Sequence, residues 1–285
     1  MKKILAVGII FLFIGIAVAP TTNFTIVKAS GDNDTVEVTT QACGIKGYGN
    51  TTVKLTREQY QNLESYLVEF RARLNQTSTK EEAVPIFKEA VVELDKYGLL
   101  PKGMSVEQAQ KLVIGNRQNK NLMNLHRKIN IKSLSRNNEN FICLIVGLTS
   151  NTGFQSVASH CLGTLASLMW FLPFGILVNL YILSIIINMF NPFSLIQRIG
   201  IGAYDPDVGG FSPAYGWIFT TGLLGIKKWN GVMSGELKIG DVEGMFGSYS
   251  SAVSGFTGLK ILNIINYGFG YFYIGTALDV KISLS

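Results

Sequence analysis

Charged side chains are scarce in this sequence, and the scarcity is concentrated in one stretch. Asp, Glu, Lys and Arg make up 15% of the 285 residues, whereas soluble domains usually carry about 25%. Between Arg136 and Arg198 there is no basic residue, and Glu139 is the only acidic one. Hydrophobic residues make up 47% of the chain, and its mean hydropathy is +0.28. This composition is atypical of a soluble protein and predicts that part of the chain enters a membrane.

Residues that carry out catalysis or bind metals are scarce as well. The chain has only two histidines, His126 and His160, and a metal site needs three or four converging ligands. The sequence holds no H-E-x-x-H, G-x-S-x-G or G-x-x-x-x-G-K-[ST] motif. Four carboxylates that offer oxygen ligands for calcium lack the spaced loop of such a site, and we interpret them as solvated: Asp205, Asp207, Asp241 and Glu243. The sequence therefore predicts a non-enzymatic protein without catalytic, cofactor-binding or metal-binding residues.

Cysteine is limited to Cys43, Cys143 and Cys161, which are too few for a disulfide scaffold. Export would permit one bridge, and Cys43 with Cys143 is then the favoured pair because Cys161 lies in an apolar run. Three free thiols are the simpler expectation. Within the apolar run, His160, Cys161 and Asn179 are interpreted as polar side chains packed between helices.

The first 29 residues predict entry into the secretory pathway. Two lysines precede sixteen uncharged residues, 4–19, which suit a signal-peptide core better than a membrane span of about 20 residues. Residues 17–19 and 27–29 are alternative cleavage sites, and without cleavage the segment remains as a signal anchor. Four N-x-[ST] tripeptides support an outside location for the region that follows; they begin at Asn23, Asn33, Asn50 and Asn75. We expect residues 30–140 to be extracytoplasmic.

Residues 30–113 predict a small outer α-helical domain that begins with a short strand. Residues 36–40 alternate apolar and polar side chains, as a strand does, and residues 53–55 can pair back with them. Thr56, Thr79 and Ser105 each have the position of a helix cap before an amphipathic run, which predicts two helices and a short third. We expect a thin antiparallel bundle that either contacts other proteins or serves as a spacer. A basic linker, residues 114–140, follows.

The apolar tract from Val157 to Phe190 has thirty-four residues without Lys, Arg, Asp or Glu. As one helix it would extend about 51 Å, whereas the hydrocarbon core of a membrane is about 30 Å thick. Pro173 lies near its middle. Either one kinked span places the C-terminal region in the cytoplasm, or two short helices form a hairpin with both flanks outside. The hairpin is favoured because it lets residues 141–148 join the later strands in one sheet.

Residues 141–285 predict an antiparallel β domain with the membrane segment 157–190 inserted in it. Glycine and aromatic residues are dense after residue 194, and turn residues recur at even spacing. Asn230-Gly231 is a hairpin-turn signal, which places a strand or two before it and a partner strand after it, at 232–239. Further strands are expected at 245–253, 256–264 and 271–283.

The aromatic residues of this region have two interpretations. Tyr215, Trp217 and Trp229 could form a binding face. Packing in a core, or a belt at a membrane surface, is the favoured interpretation because large aromatic rings are usually buried in this way.

Several stretches resemble uncharacterised exported membrane proteins of archaea. The similarity is carried by GLLPKGMSVEQAQKLV (98–113), NENFICLIVGLTSNT (138–152), GWIFTTGLLGIKKWNG (216–231), GFTGLKI (255–261) and FYIGTALDVKI (272–282). The resemblance implies the same layout. It implies no activity and no functional residue.

Together these features predict an α+β membrane protein with a leader helix, a small outer helical domain, a long hydrophobic helix or helical hairpin, and a C-terminal antiparallel β domain. The leading hypothesis is a non-enzymatic, membrane-anchored surface protein whose partners are membrane lipid and other envelope or membrane proteins. One alternative is a structural or transport accessory subunit that packs on a partner membrane protein. Another is an enzyme of unrecognised type. Nucleic acid is not expected, because the net charge of +6 comes from the leader and the linker.

Overall fold

A computed structural model of the protein describes residues 35–45, 47–115, 138–156, 197–205, 210–235, 249–262, 264 and 270–284. Thr35–Ser285 forms one compact unit. Three predicted segments lie outside the described residues: the leader 1–29, most of the linker 114–140 and the apolar tract 157–190.

Eleven strands and three helices make up the described part of the chain, and strands account for 54% of it. In chain order the elements are β1 (Thr35–Cys43), β2 (Thr51–Thr56), α1 (Arg57–Gln76), α2 (Lys80–Lys96), α3 (Val106–Ile114), β3 (Glu139–Ser150), β4 (Thr152–Ser156), β5 (Gln197–Asp205), β6 (Gly210–Ser212), β7 (Ala214–Gly222), β8 (Gly225–Ser234), β9 (Tyr249–Leu262), β10 (Gly270–Lys281) and β11 (Ser283–Leu284).

All the strands belong to one antiparallel sheet, whose main order is β11-β8-β7-β3-β10-β9-β1-β2. At its centre Ile145 of β3 lies opposite Gly275 of β10, and Gly275 lies opposite Gly258 of β9. β9 is long enough to serve two neighbours along one side. Its second half pairs with β1 and its first half with β5, so the first strand of the described chain and a strand more than 150 residues later meet on the same side of β9.

The two faces of this sheet bury separate cores. On one face the apolar sides of the three helices pack against residues such as Leu144, Phe219 and Ile274. On the other face β4 and β5 fold across a smaller core. The chain turns at Asn151, whose φ is 42°, and the Gly235 N–H donates to the Ile201 carbonyl at 2.9 Å. The strands themselves therefore enclose the second core.

Helix α1 begins where its cap predicts. The Gln59 N–H donates to Thr56 Oγ1 at 3.2 Å, and the Thr56 N–H donates to Gln59 Oε1 at 2.9 Å. Apolar side chains then recur every three or four residues on the buried face: Tyr60, Leu63, Leu67, Phe70 and Leu74. A large apolar side chain buried in this way contributes roughly 1.5–3 kcal/mol. The stripe therefore determines which face of α1 meets the sheet.

The expected fold class, with a separate outer helical domain, is wrong. β1 and β2 precede the helices, yet they belong to the same sheet as β7 and β10. The helices pack on that sheet, and the rings of Phe70 in α1 and Phe272 in β10 meet edge to face with centroids 6.4 Å apart. The apolar stripes are narrow because the sheet supplies much of the core. The fold is mainly antiparallel β-sheet with three helices in the described part of the chain.

The expectation of a membrane protein with a transmembrane helix is contradicted as well. Within the described ranges no helix is long and apolar enough to cross a membrane. The arrangement in which one span separates residues 30–113 from the C-terminal region is also wrong. Thr39–Cys43 of β1 pair with residues 258–262 of β9, so both regions must share one compartment.

Several predicted strands are confirmed, but one hairpin turn is misplaced. Residues 36–40 pair with 51–55, and the segment 141–148 lies within β3. Of the strand predicted at 271–283, residues 271–281 lie in β10. The turn predicted at Asn230-Gly231 lies inside β8, where Gly231 faces Gly216 across the ladder. The real turn connects Gly222 to Gly225, whose φ is +82°. An Asn-Gly dipeptide inside a strand thus has the same local sequence signature as a hairpin turn.

The two strands predicted at 245–253 and 256–264 form one strand, β9. Gly255 interrupts its regularity with a φ of +67°. The register with β5 shifts at this point, between the pairs Gln197↔Phe256 and Arg198↔Ser254. A bulge accommodates the glycine without ending the strand.

Candidate functional site

The polar residues singled out in the sequence do not form a site in the described structure. Asp205 ends β5, while Asp207, Asp241 and Glu243 lie outside the described residues, as do His126, His160, Cys161 and Asn179. Among the residues that the structure describes, no three His, Cys, Asp or Glu side chains are placed to hold a metal ion.

Cys43 and Cys143 are free, buried thiols in the second core. Cys43 lies opposite Gly258, and three strand spacings of about 4.8 Å each separate β1 from β3, so roughly 14 Å lie between these strands. A disulfide needs Cα atoms within about 7 Å. Burial raises the pKa of Cys43 to about 11, although Lys260 opposes the shift, and burial raises that of Cys143 to about 12. Neither thiol is suited to act as a nucleophile near neutral pH.

A groove of about 510 Å³ lies between helix α1 and the ends of strands β3 and β7. We call it the α1 groove. Side chains from the helix form one wall and the strands form the other. Its lining residues are Leu67, Val68, Arg71, Leu148, Thr149, Ser150, Tyr215, Gly216, Trp217 and Gly270.

Both walls of the α1 groove expose large apolar side chains. Val68 on the helix is 69% exposed and Tyr215 on β7 is 61% exposed. They are two of the five exposed large hydrophobic side chains in the described ranges, and both line this groove. Leu67 and Trp217 continue the apolar surface below them, where they are buried. The groove is therefore an open apolar surface connected to the core.

Strand β7 is held close to β3 at the groove by a glycine. A Cβ on Gly216, whose φ is +150°, would lie 2.0 Å from the Leu148 carbonyl oxygen. Beside it the Tyr215 N–H donates to Ser150 Oγ at 2.8 Å. These contacts fix the backbone from which the Tyr215 and Trp217 side chains enter the groove.

Arg71 is the only charged side chain among the lining residues. Its Nη2 donates to Asn230 Oδ1 at 2.8 Å, and its Cζ lies 5.3 Å from the centroid of the Trp217 ring. Burial lowers the pKa of the guanidinium from its ordinary value, but an arginine remains charged in a folded protein. The ring and the amide orient the cation without neutralising it.

A second cation lies on the same face of the sheet as Asn230. Lys228 is two residues from Asn230 along β8, so the two side chains point to the same side. Its Nζ donates to the Asn75 carbonyl in the last turn of α1 at 2.7 Å. A cation is favourable at a helix C-terminus. Together, Arg71 and Lys228 tie α1 to β8, and of the two only Arg71 lines the groove.

Comparison of the chain with family models, curated proteins and solved structures gives no match. The resemblance to exported archaeal proteins therefore stays a prediction. The assignment of function rests on the α1 groove.

Sequence patterns predicted part of this site. Trp217 and Trp229 are buried, as the favoured interpretation held, whereas Tyr215 is exposed in the groove. Arg71 was missed because it lies among charged residues on an amphipathic helix and meets Trp217 only in the folded protein. The available signal was Val68, an apolar residue outside the buried stripe of α1.

Proposed function

We propose that this protein is an exported, non-enzymatic binding protein whose α1 groove holds a segment of another protein of the cell envelope. The observation that carries the proposal is the exposure of Val68 and Tyr215 on facing walls of one groove. Contiguous apolar surface is disfavoured in water unless a partner covers it. The volume of about 510 Å³ is within the roughly 300–1,000 Å³ of typical ligand sites.

The chemistry of the lining supports binding rather than catalysis. The residues that line the groove include no carboxylate, imidazole, thiol or amine to serve as a general acid or base. The Ser150 and Thr149 hydroxyls are engaged in structural contacts, since Ser150 Oγ accepts the Tyr215 N–H and Thr149 Oγ1 lies 2.6 Å from Thr152 Oγ1.

The leader and the N-x-[ST] tripeptides support export. The thiols are compatible with it, because Cys43 and Cys143 are buried and too far apart to be oxidised to a bridge. An epitope inserted at Gly47, an exposed turn residue between β1 and β2, tests the location. We expect an antibody to bind it on intact cells; binding only after permeabilisation would contradict export.

Peptide selection tests the groove itself. A library of random twelve-residue peptides is panned against the purified full-length chain, and the enriched sequences are synthesised and titrated by fluorescence anisotropy. We expect Val68→Asn combined with Tyr215→Ser to weaken binding at least tenfold, because each change removes an anchor worth about 1 kcal/mol or more. Val92→Asn, an exposed valine on α2 away from the groove, is the matched control. Equal binding by the groove variant and the control would overturn the proposal, as would the absence of any enrichment.

A further inference from the structure

The α1 groove contains an oriented positive charge that its own residues do not neutralise. In the described part of the chain, ion pairs join Glu37 to Lys54, Glu89 to Arg73, Glu93 to Lys96 and Glu139 to Lys281. Arg71 takes part in none of them, and the one shift of its pKa is caused by burial rather than by a carboxylate. The cation is thus partly desolvated and lacks an anionic partner among these residues.

The guanidinium is also prepared to bind a carboxylate. Of its five N–H donors, one bonds to Asn230. Its Cζ also lies 5.3 Å from the centroid of the Trp217 ring, which holds the group from a second side. A guanidinium held in this way can donate two parallel hydrogen bonds to a carboxylate, which is the strong form of this interaction.

We propose that the α1 groove selects segments in which an acidic side chain lies next to apolar ones, and that Arg71 binds the carboxylate. This inference rests on the proposed function and names the chemistry of its ligand. The apolar side chains of the segment pack between Val68 and Tyr215. Its Asp or Glu side chain reaches the inner wall at Trp217.

A side-chain carboxylate fits the groove better than a chain-terminal one. Terminal carboxylates are typically captured by free backbone N–H groups. Here the Tyr215 N–H is already bonded to Ser150 Oγ at 2.8 Å, and Gly216 lies in the ladder opposite Thr149. The carboxylate of the ligand is therefore bound by the Arg71 side chain, which projects from α1, rather than by backbone N–H groups. The exposed walls leave room for a polypeptide to continue past the site.

The peptides enriched by panning test this directly. We expect most of them to carry Asp or Glu beside a large apolar residue. A synthetic peptide of this kind is compared with its Glu→Gln or Asp→Asn form and with a C-terminally amidated form. The acidic side chain should be required for tight binding, with at least a tenfold loss on neutralisation, whereas amidation should change little.

The protein is varied in parallel. Arg71→Gln should reduce the affinity for the acidic peptide at least tenfold and abolish most of its salt dependence. It should leave the neutral peptide unaffected, which also shows that the variant is folded. Lys88→Gln, which removes an exposed positive charge on α2, is the matched control. Arg71→Lys should restore only part of the affinity because an ammonium cannot make the bidentate contact.

The outcomes separate this inference from the proposed function. Enrichment of purely apolar peptides that lose binding in the Val68/Tyr215 variant would overturn the role of Arg71 and keep the groove. Loss of binding on amidation would overturn the assignment to a side chain. Equal affinity of wild type and Arg71→Gln for the acidic peptide would overturn the inference outright. Binding of a free fatty acid in place of peptides would overturn both.

Discussion

The buried side chain of Asn140 allows the attachment of the β7–β8 turn to be tested quantitatively. Its amide donates to Thr220 Oγ1 at 2.8 Å and to the Gly225 carbonyl at 3.0 Å. Its Oδ1 accepts from the N–H groups of Phe141 at 3.0 Å and Leu224 at 3.2 Å. One fully buried residue on β3 therefore bonds to β7, to the turn and to its own neighbour.

Replacing Asn140 with alanine removes all four bonds. Two N–H groups, one carbonyl and the Thr220 hydroxyl lose a partner. A buried polar group left unsatisfied costs about 1–3 kcal/mol. Water reaches some of these groups because they are only partly buried. The lower end of the range applies, and we expect a loss of about 3 kcal/mol in the free energy of unfolding. With a urea slope of about 3 kcal/mol per M, the midpoint falls by about 1 M.

Urea denaturation followed by tryptophan fluorescence measures this change, since the buried Trp217 and Trp229 lie on the two strands that the turn connects. Thr220→Val is the matched control: it removes one acceptor and keeps the shape, and it should cost about 1 kcal/mol. Hydrogen exchange of the Leu224 amide should accelerate in Asn140→Ala. If Asn140→Ala shifts the midpoint no further than Thr220→Val does, the reasoning about the turn is refuted.

Two further predictions concern the second core. Gly147→Ala should cost about 1–3 kcal/mol of stability, measured as a fall in the melting temperature, because the new Cβ would lie 2.4 Å from Tyr273 Oη. The cost of the same change should be smaller in a Tyr273→Ala protein. An equal cost in the two backgrounds would contradict the proposed clash. In a Cys161→Ser chain, Cys43 and Cys143 should resist a thiol reagent at pH 8 until urea unfolds the protein; rapid labelling of the native chain would contradict their burial. The folded-state pKa values of about 11 and about 12 lie above the ordinary 9.0. The stability that the thiols contribute is therefore fully present below pH 9 and is lost as the pH rises from 9 through the folded-state values. The urea midpoint should fall between about pH 9 and about pH 12.

The sequence predicted those elements whose cause is local. Ser105 and Gln108 form the expected capping box, with the Gln108 N–H donating to Ser105 Oγ at 3.3 Å. Thr79 caps α2 by accepting from the Glu82 N–H at 3.3 Å, but the Glu82 carboxylate accepts from the Ser78 N–H, at 2.8 Å, rather than from the Thr79 N–H. A helix cap involves only a few neighbouring residues. The start of a helix can therefore be predicted from its cap without knowledge of the rest of the fold.

The parts that escaped prediction depend on contacts between distant residues. An amphipathic helix shows that it has an apolar face but not whether a helix or a sheet will cover that face. The pairing of β1 with β9 and the meeting of Arg71 with Trp217 have no local signature. Gly231 shows the same difficulty, since its φ of +101° arises opposite Gly216 inside a ladder rather than in a turn. For the candidate site, the exposed Val68 was the only clue in the sequence.

The pairing of β1 with β9 has a consequence for the synthesis of this chain on the ribosome. Cys43 lies opposite Gly258, which is made roughly 215 residues later, and ribosomes add about 5–20 residues per second. The third helix ends at Ile114, so for roughly 7–30 s the first hairpin and the three helices exist before β9 is made. During this interval the apolar stripe that includes Leu63 and Phe70 is exposed and can associate with other apolar surfaces. A chaperone that holds the nascent chain would protect the protein during this interval, whereas a gain in the stability of the folded protein would not.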